Sequence, residues 1–329
     1  IRMDGSFNWT STTTGGIQFN GTSAQRLRIQ PNGAATTWPA IDAAAYFIFT
    51  NGAASEFTVT YTDSYYVTFA NWSTTSTSNT FLRFMYARPD SGAGYFLRVS
   101  AGATTTATDI EVYGSHGEGM QIDGSGGTVT LQRLYVRGCG TGIDFTPSGG
   151  TYTASDWKIV GCNTGLNFVP STAITVTNVR IADCGTPVTG TPTADVTMRR
   201  WMVSKVQGSP TPAVGYVWGP SPGIGRTYTI DEWYVVVSAG NALWNNSGAG
   251  THARMPLTGS VFATPPGRVF NATGSGVGYC ASSTCDFSLG SFEQAADFAV
   301  YGGTTDDDYI DSWDLGAAFA VPPGTDGPF

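Results

Sequence analysis

Lysine is almost absent from this chain, since it occurs only twice among 329 residues, at Lys158 and Lys205. Charged residues of both signs make up 12%, about half of the ~25% found in an average soluble domain. The net charge is −8. Nucleic acids and anionic membranes attract proteins with a basic surface, so the sequence argues against either as the main partner.

Long apolar and long low-complexity runs are also missing. No stretch of about 18 consecutive apolar residues is present, so no membrane-spanning helix is predicted. The 41% of hydrophobic residues is too high for a disordered chain. No signal peptide is visible, and the start at Ile1 leads us to expect a processed product or part of a longer protein.

Glycine is abundant, with 43 residues, and Thr and Ser are frequent. This composition is typical of an all-β protein with many short strands and tight turns. Of the five cysteines, Cys280 and Cys285 are close enough to close a small loop. A disulfide and two free thiols both remain open for this pair, because the redox compartment is unknown.

Three segments repeat one pattern around a cysteine: "YVRGCGTGIDF" at 135–145, "KIVGCNTGLNF" at 158–168 and "RIADCGTPVTG" at 180–190. Their cysteines, Cys139, Cys162 and Cys184, follow one another by 23 and 22 residues. Apolar pairs spaced i, i+2 recur at similar steps. They are Ile110/Val112, Leu134/Val136, Trp157/Ile159, Val179/Ile181 and Trp201/Val203.

Each repeat of 22–24 residues holds three short strands with period-2 alternation. One such triplet cannot bury its apolar side chains, whereas stacked coils pair each strand with its counterpart about 4.8 Å away. The repeat therefore predicts a parallel β-helix. Ser115 and Val206 take the cysteine position in neighbouring coils, which favours a packing role for the thiols over metal binding.

The pattern in "LYVRGCGTGI" and "WKIVGCNTGL" resembles the right-handed parallel β-helix superfamily, which includes pectate-lyase-like polysaccharide enzymes and bacteriophage tailspikes. The resemblance covers residues 109–206 clearly. It implies a right-handed helix, and in tailspikes the part after the helix often carries trimerisation. The motif is architectural and does not identify a chemistry.

Three regions are expected. Residues 1–108 are irregular early coils or a separate β-rich region, and 109–246 form the parallel β-helix, with a Pro/Gly-rich excursion at 207–229. Residues 247–329 form a C-terminal β cap or oligomerisation region, since the ends of a solenoid must be covered.

Outward positions of the first strand form two polar columns: Asp109, Arg133, Asp156, Asn178 and Arg200, then Glu111, Tyr135, Lys158, Arg180 and Met202. In one interpretation, Asp156 is a catalytic acid or base, and Lys158 and Arg180 hold an anionic sugar. In the other, opposite charges on adjacent coils form a solvated face. Glu118, in the turn "GSHGEGM", is a further candidate acid.

Candidate glycan contacts lie at outward positions where polar or aromatic groups meet sugars. They are Tyr135 on the first strand and Gln121, Asp144 and Asn167 on the second. No metal site is predicted, because the two histidines lack ligand spacing. Calcium at Asp306, Asp308 and Asp311 remains open, although the loop fails the EF-hand pattern.

The third strand carries threonines at Thr130, Thr153, Thr175 and Thr197, and Thr128 and Thr151 begin a second file. Flat threonine files on a β-helix resemble ice-binding faces. Threonine is also favoured in strands, and such a face equally suits a subunit interface.

The preferred function is host-surface glycan recognition and structural display by a virion appendage of the tail spike or fibre type. We expect a homotrimer at an extracellular or virion surface, in contact with cell-surface polysaccharide and other virion proteins. No cofactor is expected, and bound calcium is left open. Two alternatives remain: a polysaccharide lyase or glycoside hydrolase on the same scaffold, and a bacterial surface adhesin.

Overall fold

A computed structural model describes most of the chain before residue 237 and short segments after it. The described residues are 2–3, 7–11, 17–31, 47–51, 57–65, 67–71, 77–85, 95–99, 104–204, 216–218, 226–236, 241–246, 253–258, 261–263, 268–273, 277–280 and 291–292. Within these ranges, 78% of residues lie in strands and none lies in a helix. No helix capable of crossing a membrane therefore occurs in the described part.

The fold prediction is confirmed: parallel strands stack as coils of a β-solenoid with about five turns. The chain divides into two compact units, Ile1–Asn167 and Phe168–Phe329. We describe each unit by itself.

The first unit contains thirteen strands, of which the last ends one residue beyond its boundary. They are β1 (Arg2–Met3), β2 (Phe7–Ser11), β3 (Ile17–Asn20), β4 (Leu27–Pro31), β5 (Phe47–Asn51), β6 (Phe57–Tyr65), β7 (Val67–Asn71), β8 (Thr77–Met85), β9 (Tyr95–Val99), β10 (Thr104–Ile122), β11 (Ser125–Phe145), β12 (Gly149–Val160) and β13 (Thr164–Phe168). β6, β8, β10, β11 and β12 pair in that order, all parallel. Part of the 1–108 region thus forms coils of the same stack.

The second unit contains the remaining twelve strands. They are β14 (Ile174–Ala182), β15 (Thr186–Thr189), β16 (Val196–Ser204), β17 (Tyr216–Trp218), β18 (Arg226–Asp231), β19 (Tyr234–Val236), β20 (Asn241–Asn246), β21 (Ala253–Thr258), β22 (Val261–Ala263), β23 (Arg268–Thr273), β24 (Val277–Cys280) and β25 (Ser291–Phe292). β14, β16, β18, β21 and β24 pair in parallel. A separate sheet contains β17, β20, β23 and β25.

The predicted register holds position by position. Ile110 pairs with Leu134, and Leu134 pairs with Trp157, each one coil further along. In the second unit, Val179 pairs with Trp201. All five side chains are at most 1% exposed, so the apolar columns read from the sequence are the core ladders.

The coils bend at two columns of residues with left-handed backbone conformation, where the sequence predicted breaks between short strands. At one corner, the residues are Asp109, Arg133 and Asp156 in the first unit and Asn178, Arg200 and Glu232 in the second, with φ between 54° and 62°. The first-strand column headed by Asp109 does face outward, as predicted. Its residues form a corner of the coil, because their backbone conformation is left-handed and not extended. Ladder pairing continues on both sides of these corners, so β10 and β11 run through them as single long strands.

The second corner immediately precedes the cysteine position. Gly114, Gly138, Gly161 and Asp183 have φ between 56° and 69° there. Glycine adopts this conformation without the steric cost that a Cβ atom adds. The corner turns the next side chain inward, which explains why a small apolar residue follows.

The cysteines at this position are buried free thiols, as the repeat predicted. Cys139, Cys162 and Cys184 are at most 4% exposed. Each thiol lies 3.5–3.6 Å from the carbonyl oxygen two residues earlier. Ser115 pairs with Cys139 in the backbone register, so the same position recurs one coil earlier.

We expect these three thiols to resist alkylation until the coils unfold, because burial blocks reagents and disfavours the reactive thiolate. Iodoacetamide labelling followed by peptide mapping should leave Cys139, Cys162 and Cys184 unmodified in native protein and modify all three in urea. Labelling of Cys162 in native protein at the rate of an exposed thiol would contradict the burial.

Part of the predicted 207–229 excursion is regular structure. β17 and the start of β18 lie within it, and Trp218 is fully buried. The indole nitrogen of Trp218 donates to the carbonyl oxygen of Gly190 at 3.1 Å, and its ring contacts Trp233. Burial of the Trp218 side chain thus stabilises regular structure inside a segment whose Pro/Gly composition predicted an excursion.

Candidate functional site

A local irregularity places two polar side chains together on the outer surface of the second strand. The pairing of β10 with β11 shifts between Ser115 and Glu118. Gly119 and Met120 are both buried, which breaks the usual alternation of a strand. As a result, Glu118 and Gln121 are both outward-facing and only partly exposed.

Neighbouring coils extend this pair into a polar column. Gln121 pairs with Arg98 on one side and Asp144 on the other. The side-chain amide of Asn167 donates to Asp144 Oδ1 at 2.6 Å. We call Arg98, Glu118, Gln121, Asp123, Asp144 and Asn167 the polar column.

The Asp144 side chain is less accessible than predicted. Only 8% of it is exposed, whereas the sequence placed it on an ordinary outward column with Gln121 and Asn167. The hydrogen bond from Asn167 compensates for burial of its carboxylate. Asp144 thus orients the amide of Asn167, which is partly exposed.

The Glu118 carboxyl is the strongly perturbed acid of this column. Burial, together with the negative charges of Asp144 and Asp123, raises its pKa from 4.5 to about 7, against a smaller opposing effect of Arg98. A carboxyl with such a pKa retains a proton near neutral pH, which is the state that a general acid needs.

Two acceptor atoms of the column have no hydrogen-bond partner among the described residues. They are Glu118 Oε2 and Gln121 Oε1, and both are buried. A buried acceptor without a donor costs about 1–3 kcal/mol. A proton on Glu118 would remove the charge from its buried carboxylate, and a hydroxyl group that enters the column would supply a donor to either acceptor.

An ion pair closes the column at one end. Arg98 donates to both carboxylate oxygens of Asp123, with Nε 3.3 Å from Oδ1. The guanidinium carbon also lies 5.9 Å from the ring centroid of Tyr95. This pair supplies a fixed donor group beside the carboxyl and amide groups, and an aromatic ring stands next to it.

The first-strand candidates have other partners. Asp156 accepts a hydrogen bond from the Ser155 hydroxyl at 2.7 Å, and Lys158 Nζ lies 4.9 Å from the Tyr135 ring centroid. Tyr113 contacts the same ring edge-on at 5.5 Å. Because both neighbouring coils engage Tyr135, little of its ring remains for stacking on a sugar.

Arg180, the third of these candidates, is exposed in the second unit. Asp156 and Lys158 belong to the first unit, and the structure does not bring either of them to Glu118 through a described contact. The predicted candidates therefore separate into a first-strand set and the polar column.

Charges at the corner column pair across coils. Arg133 donates to both oxygens of Asp109 at 2.7 and 2.8 Å, which lowers the pKa of that carboxyl. In the second unit, Arg200 lies 2.6 Å from Glu232. This is the pattern of a solvated face with alternating charges, and solvent screening leaves such exposed pairs with little effect on stability.

Three members of the site region were not predicted: Tyr95, Arg98 and Asp123. Arg98 precedes Gln121 by 23 residues, the step of the repeat, so extending the column by one coil would have identified it. In the described ranges, no group of three or more His, Cys, Asp or Glu side chains is arranged to hold a metal ion. The calcium candidates Asp306, Asp308 and Asp311, and also Cys285, lie outside those ranges.

No protein-family model, curated protein or solved structure matches this chain. Its function is therefore inferred from the parallel coils and from the side chains they bring together, not from a relative. The polar column offers the most complete set of interacting polar groups for that purpose.

Proposed function

We propose that this chain recognises cell-surface polysaccharide as an extracellular or virion appendage of the tailspike type, and that the polar column binds the glycan. The observation that carries the proposal is the alignment of Arg98, Gln121, Asp144 and Asn167 on successive coils, in which Asp123 holds Arg98 and Asp144 holds Asn167. A stiff solenoid that presents donors and acceptors at regular intervals suits shallow, multi-point contacts with a sugar chain.

The chemistry of the column matches sugar hydroxyl groups. Hydroxyls donate and accept, so they can satisfy Gln121 Oε1 and receive hydrogen bonds from the Asn167 amide and the Arg98 guanidinium. Arg98 and Asn167 are partly buried and already held by hydrogen bonds to Asp123 and Asp144, which reduces the entropy lost on binding. Tyr95 provides an aromatic ring at the same end of the column.

Replacing Gln121 with alanine should weaken glycan binding about tenfold, the effect of one hydrogen bond of roughly 1.4 kcal/mol. It should not lower the melting temperature, because the side-chain oxygen has no protein partner to lose and its removal relieves a buried acceptor that lacks a donor. Glycan-array screening of the purified chain, followed by calorimetry with the best ligand, measures the effect.

Asn163→Ala is the matched control, since Asn163 is exposed in a turn of the same unit outside the column. It should bind like the parent chain. Equal affinity of the Gln121 and Asn163 variants for a bound glycan would remove the polar column from the proposal. Binding of no glycan at all would contradict recognition itself.

Assembly as a homotrimer belongs to the same proposal and has a separate measurement. Light scattering with size-exclusion chromatography should give three times the chain mass of 34.6 kDa. A monomer mass over the micromolar range would contradict the trimer while leaving glycan binding to be judged by the array.

Glycoside hydrolysis is a second candidate function, favoured by the pKa of about 7 at Glu118 beside a second carboxyl, Asp144. In this mechanism, Glu118 would protonate the leaving oxygen, and Asp144 would activate water or attack the sugar carbon. Release of reducing ends from a bound polysaccharide would support it. A glycan that binds for hours and stays intact would exclude it.

A further inference from the structure

The third strand of the first unit presents a two-dimensional array of hydroxyl groups. Thr104, Thr128 and Thr151 pair in one file, and Thr106, Thr130 and Thr153 pair in the next. A third file contains Thr108, Gln132 and Ser155. We call these nine residues the threonine face; the register adds Thr104/Thr106 to the two T-x-T repeats that stand out in the sequence.

The array is regular in both directions. Parallel pairing sets about 4.8 Å between coils, and alternate residues along a strand are about 6.6 Å apart. The register runs without a shift from Thr104/Thr128 to Thr108/Gln132, and likewise from Thr128/Thr151 to Gln132/Ser155. Earlier coils continue the last two files with Thr58/Thr60 and Ser78/Thr80 at matching backbone positions.

The face is accessible and stiff. Thr104, Thr128, Thr151 and Thr153 are exposed, and Thr106, Thr130, Gln132 and Ser155 are partly exposed, whereas Thr108, at the edge of the third file, is buried. β-Branched side chains have few χ1 rotamers, so their hydroxyl and methyl groups are held in place before anything binds. Each position therefore loses little entropy when a ligand covers the face.

The residue types exclude the common macromolecular partners. None of the nine residues is charged, so the face lacks the Lys and Arg side chains that supply most of the affinity for nucleic-acid phosphates. It also lacks the Trp, Tyr and Arg anchors that carry most of the binding energy in protein interfaces, and the aromatic rings on which sugars stack. A ligand that fits must itself repeat in two dimensions and exchange hydrogen bonds with the accessible hydroxyl groups of the face.

We infer that the threonine face binds the surface of ice. Water molecules in an ice plane form a two-dimensional hydrogen-bonded lattice, and a rigid grid of hydroxyls with intervening methyls orders water in the same manner. The face lies on a different strand from the polar column, so the inference does not depend on glycan recognition.

The second unit offers a contrasting version of this strand. Thr175, Thr197 and Thr229 form a file there and line a shallow groove of about 490 Å³. Asp195 lines the same groove, and the adjoining file contains the ion pair Arg199–Asp231. Charged, strongly hydrated groups interrupt the grid, so we restrict ice binding to the first unit.

The test is thermal hysteresis and ice-crystal shaping by the purified full chain, measured in a nanolitre osmometer. The parent chain should separate the freezing and melting points and produce faceted crystals. Thr130→Tyr places a large ring at the centre of the face and should remove most of the hysteresis. Thr193→Tyr, at an exposed turn of the second unit, should retain it.

A double variant, Thr128→Lys with Thr151→Lys, protects the test against misfolding of the tyrosine variant, because both positions are exposed. It should also remove most of the hysteresis while keeping the parent's circular dichroism spectrum. Absence of hysteresis in the parent chain, or its retention in either face variant, would overturn the inference. Co-sedimentation with crystalline cellulose without any effect on ice would overturn it as well, and would assign the face to a polysaccharide lattice.

Discussion

Replacing Trp201 with alanine should destabilise the second unit by about 3–5 kcal/mol, the usual cost of removing a large buried aromatic side chain. Trp201 is 1% exposed and stacks on Trp233 with ring centroids 5.2 Å apart and planes at 7°. Phe168 contacts the other side of the cluster at 5.8 Å. The cavity left by the indole would stay largely open, because parallel backbone pairing fixes the coils on either side and prevents them from moving into it.

Urea unfolding followed by tryptophan fluorescence and circular dichroism checks this value. Trp201→Phe should cost less, although it leaves the carbonyl oxygen of Val176 without the indole donor that lies 2.9 Å away. Tyr234→Ala is the control, since Tyr234 is 45% exposed in the same unit. Coils of a solenoid unfold with partial independence, so the comparison is made at the midpoint of the transition that involves β16. Similar midpoints for Trp201→Ala and Tyr234→Ala would contradict the stacking argument.

Much of the fold was predictable because the inward positions must repeat. A ladder such as Leu134–Trp157 has to place one apolar side chain above another in every coil, so apolar residues recur in the sequence at the length of one coil. The small residue before the second strand is predictable for the same reason, and Cys139 and Cys162 mark it. Burial in a stacked core restricts residue type strongly, and the restriction recurs every 22–24 residues.

The corners were not predictable from residue type. Arg133 and Arg200 adopt φ of 56°, a conformation that costs a non-glycine residue about 1–2 kcal/mol. Asp and Asn, which tolerate it better, occupy the same column only in some coils. Pairing on both sides of the corner imposes the conformation, and the ion pairs with Asp109 and Glu232 offset part of its cost. The residues at this corner thus share a backbone conformation, but they do not share a residue type.

The candidate site was predicted in pieces. Gln121, Asp144 and Asn167 follow from the repeat, whereas the grouping of Glu118 with Gln121 depends on the irregularity at Gly119–Met120. A strict alternation would place residues 118 and 121 on opposite faces. The burial of Asp144 was also missed, because a polar residue in an outward column gives no sign of how closely its neighbours cover it.

Glu118→Gln should increase the stability of the chain at pH 8 by about 2 kcal/mol and leave it unchanged at pH 4. In the unfolded chain the Glu118 carboxyl titrates near 4.5, and in the folded chain near 7. Between these values the native state binds more protons than the unfolded state, so the free energy of unfolding falls as pH rises. Below 4.5 both states are protonated and the carboxyl contributes no pH dependence.

Each pH unit between the two pKa values corresponds to about 1.4 kcal/mol. We reduce the total to about 2 kcal/mol because Glu118 is only half-buried and solvent screens its neighbours, Asp144, Asp123 and Arg98. Glutamine keeps the shape of the side chain and carries no charge, so it removes the penalty at high pH. Urea unfolding of both proteins from pH 4 to 8 should therefore give a stability difference that grows between about 5 and 7.

Glu232→Gln separates this effect from the general titration of the chain. The Glu232 carboxylate is exposed, and its hydrogen bond from Arg200 lowers its pKa, so its stabilising effect is complete above the ordinary carboxyl pKa. Its variant should differ from the parent by a constant amount between pH 5 and 8. If the Glu118→Gln difference were equally flat, the carboxyl would be ionised throughout this range, and it could not serve as a general acid near neutral pH.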